Sequence, residues 1–157
     1  NIFDQGTKYS KALGLEFTDE KGNKKPVVMG SYGIGLGRVM GTVVEALSDD
    51  KGIIWPEEIA PFKVHLLSLG DNNKIKKQAD AMYNNLVKAG VEVFFDDRDE
   101  MSPGEKFADA DLLGMPYRAV VSARSIKEGG VELKKRTEEK GKIVSEKELL
   151  EMLMPNV

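Results

Sequence analysis

The spacing of hydrophobic and polar positions changes period several times along the chain, and each change marks an element. Tyr9, Ala12 and Leu13 fall on one side of a short helix that Gly14 stops. Leu15 and Phe17 alternate with Glu16 and Thr18 as a strand, the polar run 19–25 turns, and 26–29 begins a return strand. Between Gly33 and Gly37, glycines alternate with Ile34 and Leu36 at the two-residue period of a strand. After Arg38 the period becomes helical, with Val39, Met40, Val43, Val44 and Leu47 on one side. Residues 48–61 are polar at their start and carry Pro56 and Pro61, which exclude a long regular element. They read as a linker between a domain at 1–47 and another at 62–157.

From Phe62 the pattern is α/β. Val64, Leu66, Leu67 and Leu69 make a buried strand, on which His65 reads as a satisfied histidine of the core or sheet face. Ile75, Ala79, Met82, Tyr83, Leu86 and Val87 form a helical stripe that Gly90 ends, and 91–95 is the next strand. Short connections through a helix predict parallel pairing of these two strands. Ser102, Pro103 and Glu105 open a helix as N-cap, first helical residue and capping-box partner, with Phe107, Ala108, Ala110 and Leu112 on its apolar side. Residues 117–122 make a third strand. Val131, Leu133 and Lys135 alternate with Glu132, Lys134 and Arg136 in an edge strand whose cations an RNA backbone could meet. Ser145 and Glu148 cap a last helix that turns Leu149, Leu150, Leu153 and Met154 inward.

Composition narrows the classes. At 157 residues, 41% hydrophobic and 31% charged, the chain suits one domain, or one domain with a piece of another. No apolar run is long enough to cross a bilayer. The absence of cysteine excludes disulfides and thiolate metal sites, and a single histidine argues against an imidazole metal site. A net charge of −3 means that any nucleic-acid reading rests on local basic patches.

The candidate chemistry lies in two stretches. Glycine at 33, 35 and 37 would leave one strand face bare beside Arg38, whose guanidinium suits phosphate oxygens. Tight helix–sheet packing and a seat for a nucleotide both fit that pattern. A dinucleotide fingerprint does not, because the third glycine, Gly41, comes one residue late; a P-loop does not, because no Gly-Lys-Ser/Thr follows. The second stretch is 96–100, four acids around Arg98, at the carboxyl end of an α/β strand where ligand loops gather. Charge alone favours a solvated turn there.

The segment Met29-Gly30-Ser31-Tyr32-Gly33-Ile34-Gly35-Leu36-Gly37-Arg38 resembles motif 3 of the class II aminoacyl-tRNA synthetases, in the form found in bacterial-type prolyl-tRNA synthetases. Three further stretches agree in family order: Ile2-Phe3 with Gly6-Thr7-Lys8-Tyr9-Ser10, Gly52-Ile53-Ile54-Trp55-Pro56 with Ala60-Pro61-Phe62, and Asp96-Asp97-Arg98 with Lys106-Phe107-Ala108-Asp109-Ala110-Asp111-Leu112. The resemblance implies the carboxy-terminal piece, inactive alone, of a longer, cytoplasmic, homodimeric ligase that attaches proline to its tRNA with ATP and Mg²⁺; the alternative is a non-catalytic tRNA-binding or regulatory module of synthetase origin. The implied fold is the end of an antiparallel-sheet catalytic domain followed by an α/β anticodon-binding domain, a mixed sheet flanked by helices.

The resemblance also implies site residues. Gly33, Gly35, Gly37 and Arg38 would bind ATP, with Arg38 the catalytic arginine, and Thr7 and Ser31 would border the proline pocket. Asp97, Arg98, Glu105, Lys106 and Phe107 would face the anticodon, and no metal ligands are expected from the chain. Three places depart from the family pattern: Asp4-Gln5 stands where members carry Lys or Gln before Leu, Ser31 where many have cysteine, and Met101-Ser102 where many have arginine before Pro-Gly.

Overall fold

A computed structural model describes residues 2–154. The chain divides into two compact units, Asn1–Thr42 and Val43–Val157. In the first, β1 (Ile2–Gly6) leads to α1 (Lys8–Leu13), which Gly14 ends in the left-handed conformation at φ 66°. The chain then makes the expected hairpin, β2 (Glu16–Thr18) with β3 (Lys24–Pro26), its turn held by the Asp19 carboxylate, which accepts from the N–H groups of Lys21 and Asn23. Strand β4 (Met29–Tyr32) leaves that hairpin and pairs antiparallel with β1, setting Ser31 opposite Phe3 and Gly30 opposite Asp4.

The glycine stretch differs from the expected strand. β4 ends at Tyr32, residues 33–35 are irregular, and α2 (Leu36–Ala46) has begun before Arg38 is reached. The physical reason is twofold. Glycine has no side chain to pair across a ladder and loses the most entropy on ordering, so an alternating glycine run makes a weak strand. Leu36, Val39, Met40 and Val43 meanwhile already lie at helical spacing. Among the described residues of this unit only Ser10 is buried, and Ile2, Leu13, Tyr32, Ile34 and Leu36 are each at least three-quarters exposed.

The second unit opens with the end of α2, followed by a two-residue ladder of β5 (Ser48–Asp49) and β6 (Gly52–Ile53). Its main body is a five-stranded sheet. β7 (Val64–Leu69) is central and runs parallel to β8 (Val93–Asp96) and β9 (Tyr117–Ser122), with α3 (Asn73–Lys88) and α4 (Pro103–Leu113) as the crossovers. After α5 (Ala123–Lys127), β10 (Val131–Lys135) adds antiparallel to β9. β11 (Lys142–Val144) then pairs outside β10, and α6 (Glu146–Leu153) follows. The order is β11-β10-β9-β7-β8, so β10 is interior, not the edge strand expected from its alternation. The ladder with β11 buries it, a non-local pairing that local alternation does not report.

Two apolar clusters flank the sheet. Val64, Leu66, Ala119, Val121 and Val131 pack with Ile75, Ala79, Met82 and Leu86 of α3 and with Leu149 and Leu153 of α6. On the other face Leu67 and Val120 meet Ala110 and Phe107 of α4. The β7-to-β8 and β8-to-β9 crossovers run in opposite directions across the sheet, so right-handed connections place α3 and α4 on opposite faces.

Residues 48–61 pack on this α/β unit. Arg136, nearly buried, donates through Nη1 and Nη2 to the Asp49 carboxylate at 2.9 and 2.6 Å, and through Nε to the Asp111 carbonyl at 3.1 Å. The Trp55 N–H donates to the carbonyl of Gly114. The Tyr117 hydroxyl donates to Glu57 at 3.0 Å, and burial, with that carboxylate, pushes its pKa up to about 12. Gly114, at φ 67°, closes α4 and lets Ile53 lie against its backbone: a Cβ there would fall 1.7 Å from the Ile53 carbonyl oxygen.

Candidate functional site

Neighbouring parallel strands whose connections leave to opposite faces open a crevice beyond their carboxyl ends. β7 and β8 are such a pair. The crevice there has a volume of about 280 Å³ and is lined by Ser68, Gly70 and Asp71 after β7, Arg98, Asp99 and Met101 after β8, and Pro103 and Lys106 of α4.

Its frame is a buried ion network. Asp96, with a side chain only 2% exposed, ends β8 and accepts from Arg98 Nε at 3.0 Å and Nη2 at 2.7 Å. Arg98 Nη2 also donates to Asp109 of α4 at 2.7 Å. Lys106, equally buried, donates to the carbonyls of Ser68 at 2.9 Å and Asp96 at 3.2 Å and lies 3.4 Å from the Asp96 carboxylate. Arg98, and to a lesser extent Lys106, hold the Asp96 pKa down at about 2. One ammonium therefore ties the ends of β7 and β8 to the first turns of α4, and one carboxylate holds Arg98 at the rim.

α4 starts with the capping box read in the sequence: Ser102 Oγ accepts from the Glu105 N–H, and the Glu105 carboxylate accepts from the Ser102 N–H at 2.9 Å. Of the five residues expected to face a base, two stand exposed in the loop after β8. Asp97 is exposed, without a hydrogen bond or ion pair among the described residues, and Arg98 is half exposed with Nη1 unengaged. Glu105 is exposed but engaged in the cap. Lys106 is turned into the unit, and Phe107 is half buried against Leu67, Ala110 and Val120, with the Arg118 guanidinium 4.5 Å over its ring. Lys134 and Arg136, expected on a solvated basic strand, are buried as well, which leaves Lys135 as the exposed cation of the three.

Asp109 is a member of this network that sequence reasoning passed over. Its signal was its position one helical turn after Glu105 and Lys106, on the helix that follows the Arg98 loop. His65 is the other. It is 1% exposed, edge-on to Phe94 at 4.8 Å, and both ring nitrogens are buried without a hydrogen-bond partner among the described residues. It is therefore not the satisfied histidine expected. It lies beside a second cavity of about 250 Å³, between β8 and α4, with Asp97, Arg98 and Asp109 also in its lining. Burial pushes its pKa down to about 4, against the pull of Asp96.

In the first unit, Thr7 precedes α1 without capping it through its side chain, and Ser31 lies opposite Phe3, so the two stand toward opposite ends of the β1–β4 ladder. Arg38 folds back over Gly35: a Cβ there would meet Arg38 Nε at 3.1 Å. A side chain added at Gly33 or Gly37 would enter open space. Among the described residues no three of His, Asp and Glu gather to hold a metal ion, and no helix is long and apolar enough to cross a membrane.

A mixed sheet with helices on both faces, a crevice at the carboxyl ends of β7 and β8, and an arginine held at its rim define the second unit as an α/β ligand-binding domain. The family model described as anticodon binding domain matches residues 63–154. The chain belongs to the anticodon-binding domain family. It is 52% identical over 141 residues to a proline–tRNA ligase of Persephonella marina, an alignment covering 89% of this chain and 25% of that protein. It is 47% identical over 143 residues to the proline–tRNA ligase of Fervidobacterium nodosum, covering 91% and 25%. Among solved structures, the prolyl-tRNA synthetase of Cryptosporidium parvum, complexed with L-proline and AMP, superposes with a TM-score of 0.77 at 29% identity over 97% of this chain and 35% of that one. The chain spans about a quarter of the length of the curated relatives it matches.

Proposed function

We propose that the chain is the part of a proline–tRNA ligase that carries motif 3 and reads the anticodon, within a homodimeric, cytoplasmic enzyme that joins proline to its tRNA using ATP. The observation that carries this reading is the 52% identity to a proline–tRNA ligase across 89% of the chain, which spans both units. In the first unit, Arg38 stabilises charge on the ATP phosphates, the open positions at Gly33 and Gly37 leave room for adenosine beside Gly35, and Thr7 and Ser31 border the proline. ATP is a substrate in this reading. In the second unit, Asp97 and Arg98 meet base edges, Arg98 through its unengaged Nη1. Glu105, Lys106 and Phe107 hold the loop and helix that present them.

The test is binding of tRNA bearing the proline anticodon against the same tRNA with both guanines of that anticodon changed, at low ionic strength. The chain is expected to prefer the first. Arg98→Ala should narrow the preference about ten-fold or more, since a base contact contributes roughly 1–3 kcal/mol of discrimination. Equal binding of the two by the wild-type chain would overturn the anticodon reading.

A further inference from the structure

We propose that the cavity between β8 and α4, and not the crevice at the carboxyl ends of β7 and β8, receives one guanine of the RNA, and that His65 reads its N7. The inference rests on the anticodon reading and adds to it the pocket and a further specificity-determining residue.

The two hollows differ in the groups they leave uncommitted. In the crevice, Lys106 is committed to the Ser68 and Asp96 carbonyls and Asp99 to Lys76, and Asp97 does not line it. The cavity is lined by Asp97 together with Arg98, Asp109, His65, Phe94 and Leu113. Among the described residues, the Asp97 carboxylate has no partner there, and Arg98 keeps Nη1. Asp109 gives Oδ2 to Arg98 and keeps Oδ1. His65 is 1% exposed, and neither of its ring nitrogens has a partner among the described residues. A buried imidazole in that state is costly, and native proteins pair such groups. With its pKa down at about 4 the ring is neutral at working pH, so it offers one N–H donor and one acceptor.

Guanine matches this set. Its edge runs from the donors N2–H and N1–H to the acceptors O6 and N7, and no other RNA base sets two donors beside an acceptor. The Asp97 carboxylate can take both donors, Arg98 Nη1 can give to O6, and the His65 N–H can give to N7. Arg98 is already fixed for this, because Asp96 and Asp109 hold its other nitrogens. A volume of about 250 Å³ lies below the roughly 300–1,000 Å³ of sites for larger ligands, which suits a single base. Both imidazole nitrogens are covered, so the base reaches one of them by displacing the Phe94 ring. That ring stands edge-on to His65 at 4.8 Å, is half-buried, and sits on β8, the last strand of the sheet on that side.

The experiment titrates the full chain with an anticodon stem-loop RNA carrying the proline anticodon, at low ionic strength, and follows the His65 ring nitrogens by NMR. A saturable shift of one ring nitrogen is expected. Each anticodon guanine is then replaced in turn by 7-deazaguanine, which has a carbon in place of N7. Affinity should fall about ten-fold at one position and little at the other. His65→Phe should abolish that penalty, and His65→Gln, which restores a donor, should return part of it.

Ring nitrogens that stay unmoved when the RNA saturates the chain overturn the inference. So does a 7-deaza penalty that is absent at both positions, or equal in wild type and His65→Phe. The nitrogen shifts need only the wild-type chain, so they decide the matter even if a variant folds poorly. Failure of the anticodon reading would show instead as no preference for the stem-loop with intact guanines. Guanosine monophosphate is then the probe: a saturable shift at His65 keeps the cavity as a guanine site, and no shift removes it.

Discussion

His65 is the only histidine in the sequence, so its ring proton signals are unambiguous in an NMR titration. Its pKa lies at about 4, well below the usual imidazole value, because burial disfavours the charged ring. A base held below its unfolded value binds its proton more readily when the chain is unfolded. Stability is therefore full above about pH 6.5 and falls as pH drops toward 4, by up to roughly 3 kcal/mol. His65→Phe should flatten the urea midpoint across that window; an imidazole titrating near 6.5 would refute the assignment. Lys106 carries the opposite lesson, a charge whose value lies in its partners. Lys106→Met keeps the stem but leaves two strand-end carbonyls without their donor and Asp96 with Arg98 alone. A loss of about 2–3 kcal/mol in urea denaturation is expected. A change below 1 kcal/mol would show that the loop is held by Arg98 by itself.

At the scale of elements, α4 joins two ends of the second unit. Its first turns carry the crevice rim, and its last residues receive the β5–β6 ladder at Gly114 and, through Arg136, at Asp49. Gly114→Ala would put a methyl group 1.7 Å from the Ile53 carbonyl oxygen at a φ that side chains rarely adopt, so the hairpin must move away. Destabilisation of about 2 kcal/mol or more is expected, with hydrogen-exchange protection lost first at Gly52, Ile53 and Trp55. Unchanged protection at those amides would mean that the contact is not what seats the hairpin. The starts of α4 and α6 were legible in the sequence because capping is local: Ser102, Glu105, Ser145 and Glu148 occupy the positions read for them. The interior place of β10 and the existence of β11 were not legible, because pairing between distant strands leaves little trace in a three-residue segment such as Lys142–Val144.

At the scale of the whole molecule, the two units differ in how much they bury. Val43–Val157 holds both apolar clusters, whereas among the described residues of Asn1–Thr42 only Ser10 is buried. A polypeptide of residues 43–157 should fold cooperatively, and one of residues 1–42 should give the circular dichroism of an unfolded chain. Cutting further, to 62–157, removes Asp49 from the buried Arg136, Ile53 from Gly114 and Glu57 from Tyr117, and should cost roughly 3 kcal/mol or more. Equal urea midpoints for 43–157 and 62–157 would show that residues 48–61 are a tether and nothing else.

The sequence by itself determined the elements with a local cause: the α3 stripe of Ile75, Ala79, Met82 and Leu86, the capped start of α4, and the parallel pairing of β7 with β8 through a helix. It also pointed to Arg98 at a strand's carboxyl end, because chain order in an α/β unit dictates where loops gather. Tertiary structure alone decided the fate of the charges. Lys106, Lys134 and Arg136 look alike in a sequence and like any solvated cation, and they end buried, with different partners or none. A lysine or arginine stem is long and apolar enough to enter a core from a polar position, and whether its charge then finds an acceptor depends on carbonyls and carboxylates brought from tens of residues away.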